Sequence, residues 1–162
     1  LPTEAEWEKA ASWAWQSGAN ATPAKFTYPW GDQFDPLRCA NADKDGQGVF
    51  DKFSLDTHLL TVNSKSAGRS PCGALHMAGN VWEWCKDNYD RYPGSTASAE
   101  LYGFAQGYKT IRGGSYKNQL PSFFRSSYRE GQSPYERVSE VGFRCVKRLS
   151  PKVTRLEREK GR

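Results

Sequence analysis

Only two histidines, His58 and His76, occur in 162 residues, and the cysteines at 39, 72, 85 and 145 nowhere form a CxxC pair. The first shortage excludes a three-histidine metal centre assembled by this chain alone. The second removes the usual zinc motifs, and four cysteines are too few for a dense disulfide scaffold. One or two disulfides and buried free thiols are both open readings. No apolar run approaches the roughly 18 residues of a membrane span, so none is expected. No signal peptide is visible either, but Leu1 is not a natural start, so the compartment is not readable.

A basic surplus is missing from the body of the chain. Residues 1–146 carry sixteen basic and sixteen acidic side chains, and the net charge of +5 comes entirely from residues 147–162, with seven Lys/Arg against two Asp/Glu. A globular nucleic-acid binder should carry a basic face on its folded part. Here the charge forms a solvated polar tail, and no nucleic-acid partner is expected.

Aromatic residues are plentiful instead: six Trp, eight Tyr and eight Phe supply large buried areas per residue. Fifteen Gly and nine Pro are spread along the chain, which predicts many turns and few long elements. The length suits one domain, able to bury roughly 70% of the surface its unfolded chain exposes.

The opening reads as a helix from Glu4 to about Gln16. Thr3 and Glu6 form a capping box, Glu4 and Glu6 complement the helix dipole, and Trp7, Ala10, Ala11 and Ala14 fall on one face. Gly18 and Asn20 stop it. Residues 22–71 are irregular, and a long irregular stretch in a compact domain is usually functional or clamped. Short strands are predicted over Lys109–Tyr116, turned by Gly113-Gly114, over Ser122–Arg129 and over Val141–Val146, with a Gly/Ser/Pro loop around Gly131–Glu136.

Five stretches, in order, carry a resemblance: Leu1 to Glu8 (LPTEAEWE), Tyr28-Pro29-Trp30-Gly31, Met77 to Trp84 (MAGNVWEW), Arg112 to Tyr116 (RGGSY) and Gly142-Phe143-Arg144-Cys145. Together they span the chain up to Val146 and resemble the sulfatase-modifying factor or formylglycine-generating enzyme family, which also includes the C-terminal module of hercynine oxygenases. The resemblance implies an α+β, C-type-lectin-like fold with short sheets, few helices and much coil. Residues 1–146 would be the C-terminal portion of such a domain, and residues 147–162 a basic tail. In the family, strands and a helix precede the LPTEAEWE helix. An upstream segment or a protein partner is therefore expected to complete the sheet edges.

The resemblance also implies what is missing. Formylglycine-generating members use two cysteines after RGGS to bind copper and oxidise a substrate cysteine, because soft thiolates select Cu(I). Residues 117–129 contain no cysteine, and Ser126 stands near the second position. Cys85 and Cys145 read as structural. Copper and iron are therefore not expected, and a hercynine-oxygenase-like iron site would need histidines from another domain.

Calcium is the cofactor the resemblance leaves in play. One set is Asn41 and Ala42 with Asp45 or Asp51; a second is Glu83 with the carbonyls of Gly79 and Val81, with His76 at a position where an oxygen donor is usual. The plainer readings are an ordinary turn at Asp43-Asp45-Gly46, and a Glu83 that bonds nearby backbone N–H groups. Arg112, Arg125 and Arg144 read first as loop clamps through charge-assisted hydrogen bonds, and second as carboxylate recognisers.

The expected function is a non-catalytic binding or accessory module within a larger protein or complex. Its face would be the loops at Lys117–Phe124 and Gln132–Ser139, with Tyr116, Lys117, Asn118, Phe123 and Arg125 as ligand-binding candidates. Some retroelement-diversified proteins resemble this fold and vary these loops. The alternative is an oxidoreductase of the family: a copper-dependent cysteine oxidase, or the C-terminal module of a non-haem iron enzyme similar to hercynine oxygenase.

Overall fold

In the computed structural model the described residues are 1–14, 23–42, 59–96 and 107–147. Helix α1 spans Glu4–Ser12 and opens with the expected capping box. Glu6 N donates to Thr3 Oγ1 at 3.2 Å, and Thr3 N donates back to Glu6 Oε2 at 2.8 Å. Such a cap stabilises a helix by about 1 kcal/mol.

The helix stops four residues before its expected end. Ser12 Oγ donates to Glu8 O at 2.8 Å, and Ser12 O accepts from Phe26 N at 2.9 Å. Trp13–Ala14 then extends as β1 and pairs antiparallel with β2, Ala24–Lys25. Cross-strand pairing, a tertiary interaction, overrides the helical spacing of Ala14.

The main sheet has four strands in the order β5-β4-β3-β6: β3 Trp82–Asn88, β4 Lys109–Arg112, β5 Arg129–Gln132 and β6 Val141–Gly142. The β3/β4 and β4/β5 pairs are antiparallel, and β6 joins β3 in parallel. A bulge in β3 lies between Trp84 and Asn88. Among the described residues, one helix, two small sheets, three 3-10 turns and extensive coil make the α+β architecture the sequence predicts.

Two predicted strands change. Ser122–Arg129 is a 3-10 turn over Pro121–Phe124 followed by coil, with β5 starting only at Arg129. The carbonyls of Ser126, Ser127 and Tyr128 are taken by the Arg112 side chain and are not available to a ladder. The Gly131–Glu136 loop starts late, because β5 runs through Gln132. Val141–Val146 keeps only Val141–Gly142 as strand, since Arg144 turns away to Glu83.

Two apolar clusters flank the Met77-Ala78 step. Met77 joins Trp7, Ala11 and Cys85 between α1 and the sheet. Ala78 joins Tyr28, Cys39 and Phe124, with Trp30 and Phe34 packed alongside. The Tyr28-Pro29-Trp30-Gly31 motif supplies this second cluster, where Tyr28 and Trp30 stack with ring centroids 5.8 Å apart. No helix among the described residues is long and apolar enough to cross a membrane.

Candidate functional site

The loops that follow β4 are shaped by Arg112. Its side chain is fully buried, over the Trp7 ring at 5.3 Å from the centroid. Nη1 donates to Ser127 O and Tyr128 O at 2.8 and 2.7 Å, and Nη2 donates to Ser126 O at 3.0 Å and to the Glu8 carboxylate. Glu4 lies 3.5 Å away on the other side. Burial raises the Glu8 pKa, but the Lys25 hydrogen bond and the Arg112 charge outweigh it, so the carboxyl is held below its ordinary value. A buried guanidinium needs this much company, because an unpaired buried charge is strongly destabilising.

Gly113 and Gly114 then reverse the chain with φ of +98° and +74°. A Cβ on Gly114 would sit 2.9 Å from the Phe124 ring, and one on Gly113 would sit 3.1 Å from Trp7. The motif therefore needs glycine for conformation and for space. Beyond it, Asn118 Oδ1 accepts from Ser115 N at 2.7 Å and from Ser115 Oγ at 3.1 Å, closing a tight turn. Asn118 O accepts from Ala42 N at 2.9 Å, which joins the 41–42 segment to this turn.

The two loops expected to form one face do meet. Lys117 Nζ donates to Glu140 Oε2 at 2.8 Å and to Ser139 Oγ at 3.0 Å, and it lies over the Tyr116 ring at 5.6 Å. Tyr116 OH is 3.5 Å from Ser139 Oγ. The hydrogen bond to Glu140 raises the Lys117 pKa. For Glu140, burial pushes up, but the bonds from Lys117 and Ser139 win and hold it low. Phe123 packs edge-on against Trp82 and Tyr128, at 6.2 and 5.2 Å between centroids. Arg125 is exposed, and Leu120 and Tyr135, on the two loops, are 60% and 94% exposed. Of the five ligand-binding candidates, Tyr116 and Lys117 thus meet at Ser139 and Glu140, while Asn118 closes the Ser115 turn and Phe123 packs on Trp82 and Tyr128. Arg125 does not serve as the loop clamp expected of it, since its side chain has no bond partner among the described residues, whereas Arg112 and Arg144 do clamp.

The metal candidates separate. Asp45 and Asp51 lie outside the described residues, as do Asp43 and His58. Asn41 is buried, and its Nδ2 donates to Pro36 O at 2.8 Å and to Cys39 O at 3.3 Å. The second set does not fit calcium. Glu83 Oε2 accepts from Trp7 Nε1 at 2.6 Å and from Arg144 Nε at 2.5 Å, and Oε1 accepts from Arg144 Nη2 at 2.6 Å. Both oxygens thus face a guanidinium, and a divalent ion beside it would be repelled. Nor does Glu83 bond backbone N–H groups, as the plainer reading supposed; its partners are side chains. Gly79 N donates to Gly113 O at 2.8 Å, and Val81 packs against Gly142. The His76 ring faces Ser64 Oγ and Thr61 O at 3.3 and 3.1 Å, and burial lowers its pKa. Among the described residues no three His, Cys, Asp or Glu side chains are grouped to hold a metal.

All four cysteines are free thiols. Burial pushes Cys39 up to about 11 and Cys85 up to about 12, which makes both inert, while Cys72 and Cys145 are exposed. Cys145 is thus structural only in sequence context, being exposed rather than packed. Ser126 is fully buried, and its hydroxyl has no hydrogen-bond partner among the described residues.

Sequence reasoning missed Glu8, Arg129 and Glu140, and included Ser139 only as the end of the Gln132–Ser139 loop. The i, i+4 spacing of Glu4 and Glu8 around Trp7 was the available signal for an acidic helix face that receives arginines. Ser139 and Glu140 carry no local signal, since their partner Lys117 is 22 and 23 residues away.

The sulfatase-modifying factor enzyme 1-like domain matches residues 1–149. Hercynine oxygenase of Mycobacterium tuberculosis is 35% identical over 90% of this chain and 32% of its own length. Serine/threonine-protein kinase pkn1 of Chlamydia pneumoniae is 38% identical over 93% of this chain and 21% of its own. Formylglycine-generating enzyme of Streptomyces coelicolor is 34% identical over 90% of this chain and 46% of its own. The chain thus spans less than half of each of these relatives. In fold it is similar to Treponema denticola variable protein 1, with a TM-score of 0.54 at 24% identity over 88% of this chain and 45% of that one. It is likewise similar to CarF, with a TM-score of 0.52 at 25% identity over 88% and 44%.

Proposed function

This chain belongs to the sulfatase-modifying factor enzyme 1-like family, and we propose that it serves there as a non-catalytic binding or accessory module of a larger protein or complex. The observation that carries this reading is the RGGS loop itself. It is fully formed and buttressed by Arg112, yet residues 117–129 bring no thiol to it. A position near the expected second thiol holds Ser126, whose buried hydroxyl is a poor copper ligand. What the loop presents is a surface: Tyr116, Lys117, Ser139 and Glu140 in one polar cluster, with Leu120 and Tyr135 exposed nearby on the same two loops.

The relatives support a module of this kind. Two oxidative enzymes and a kinase do not all share one chemistry, yet each contains a stretch 34–38% identical to this chain. A scaffold reused beside different activities is expected to contribute recognition or architecture. A protein partner or further segment of the same protein at the open sheet edges, and calcium at Asn41 and Ala42 with Asp45 or Asp51, belong to the same proposal.

The second reading is an oxidoreductase, favoured by the 34–35% identity to two named enzymes. One experiment separates the two. The full-length protein is supplied with copper, oxygen and a cysteine-containing peptide, and oxygen uptake and peptide mass are followed. The binding reading expects neither to change. Copper-dependent conversion of the peptide would overturn it in favour of the oxidase.

A further inference from the structure

A cleft of about 910 Å³ runs along α1, between that helix, the β1–β2 pair and the chain at the end of β3. Its size is that of a small-molecule site, and Trp13, Pro23, Tyr92 and Pro93 supply apolar walls. Trp13 and Tyr92 are 40% and 51% exposed, so both rings keep surface free for a ligand.

The polar groups of the lining sort by end. At the first turn of α1, Glu4 is saturated: Oε1 accepts from Tyr92 OH and Oε2 from Arg129. Asp87 accepts from Glu4 N through Oδ2, and Asp90 accepts from Arg91 N through Oδ1. Each aspartate keeps its other oxygen unbonded among the described residues. Toward the last turn the spare groups are donors instead. Lys9 has no partner among the described residues. Lys25 stands opposite Trp13 in the β1–β2 register and spends one of its three N–H groups on Glu8 Oε1 at 2.7 Å. Glu8 offers nothing further, since Lys25 and Arg112 hold its two oxygens.

We propose that this cleft binds a short free-ended peptide of two or three residues, its ammonium at Asp87 and Asp90 and its carboxylate at Lys9 and Lys25. The two sets lie one to two helical turns apart, roughly 5 to 11 Å. An extended chain spans about 3.4 Å per residue, so two or three residues bring its termini to that separation. A lone anion would meet the aspartates and a lone cation the lysines, whereas a ligand with both charges is matched at both ends. An apolar side chain at the carboxyl end has the Trp13 ring to lie on. The cleft shares no residue with the Tyr116–Lys117 cluster, so the proposal does not depend on what that face binds.

Titration calorimetry of the full chain tests this with the tripeptide alanyl-alanyl-phenylalanine, free at both ends, against its N-acetylated, C-amidated and doubly blocked forms. The free peptide should bind at millimolar concentration or below, and each block should weaken binding by about fivefold or more. Lys9→Gln should remove most of the penalty for amidation and keep that for acetylation; Asp90→Asn should do the reverse. Both positions are exposed, so the variants should fold as the parent does. No binding of the free peptide at millimolar concentration, a penalty at one end alone, or variants that leave both penalties unchanged would overturn the proposal.

Discussion

Arg129 on β5 donates to Glu4 at the start of α1, Nη2 to Oε2 at 2.7 Å, across 125 residues of sequence. The same guanidinium covers the rings of Tyr89 and Tyr92, at 5.0 and 4.3 Å, and donates to Asp90 O at 2.6 Å. Tyr92 closes the ring by donating to Glu4 Oε1 at 2.9 Å. The first helix is therefore bolted to an outer strand of the sheet through one carboxylate.

Arg129→Ala should destabilise the domain by about 3 kcal/mol, because it leaves Glu4 buried with fewer cations and removes the stack on two tyrosines. Arg129→Lys should recover only part of that loss, as an ammonium cannot span the same partners. Urea midpoints of the two variants check both statements.

Gly114→Ala combines a positive φ with a Cβ 2.9 Å from the Phe124 ring. The expected loss is about 2 kcal/mol or more, read as a fall in Tm. A loss under about 0.5 kcal/mol would mean that the RGGS turn adapts more freely than its packing implies.

Lys117 is exposed and Glu140 half-buried, so Lys117→Ala should change stability by less than about 1 kcal/mol. Its pH window follows from the two shifts. Glu140 is held low, so its contribution is present above the unfolded carboxylate pKa and is lost as pH falls through the folded one. Lys117 is raised, so its contribution is full below the unfolded lysine pKa and is lost as pH rises through the folded one. Proton chemical shifts of the Tyr116 ring, which lies under Lys117, should move at those two limits and stay flat between them.

Thiol chemistry should divide the cysteines in two pairs. Cys72 and Cys145 should alkylate readily in the native protein at mildly alkaline pH. Cys39 and Cys85, buried and pushed to about 11 and about 12, should react only on unfolding. Peptide mass mapping after brief iodoacetamide treatment reads this directly, and early labelling at Cys85 would contradict the α1–sheet packing.

The parts of the fold that were legible in the sequence are those with local chemistry. The Thr3/Glu6 capping box, the Gly113-Gly114 reversal and the pairing-competent Lys109–Arg112 strand each rest on a few adjacent residues. The misses have one cause. Helix α1 ends at Ser12 because Trp13 pairs with Lys25, and Ser126–Tyr128 is coil because Arg112 takes its carbonyls. Both depend on partners 12 or more residues away, which no local pattern encodes. The site divides in the same way: the Lys117–Phe124 and Gln132–Ser139 loops were anticipated as one face, but the bond of Lys117 to Glu140 was not. The sequence reads Glu83 as a calcium ligand or a carboxylate bonded to backbone N–H groups, and Arg144 first as a loop clamp and second as a carboxylate recogniser, but nothing local pairs the two, which lie 61 residues apart.

Arg112 holds Ser126, Ser127 and Tyr128 by atoms that every amino acid possesses. The bend of this loop is therefore indifferent to much of its own spelling. Exposed positions such as Arg125 and Ser127 can exchange their side chains while the path of the chain stays put, and the cost of such exchanges falls on Arg112, Glu8 and Trp7, out of sight of any ligand. A lineage that keeps those three residues can rewrite this stretch of its outer surface repeatedly without having to reinvent the domain beneath it.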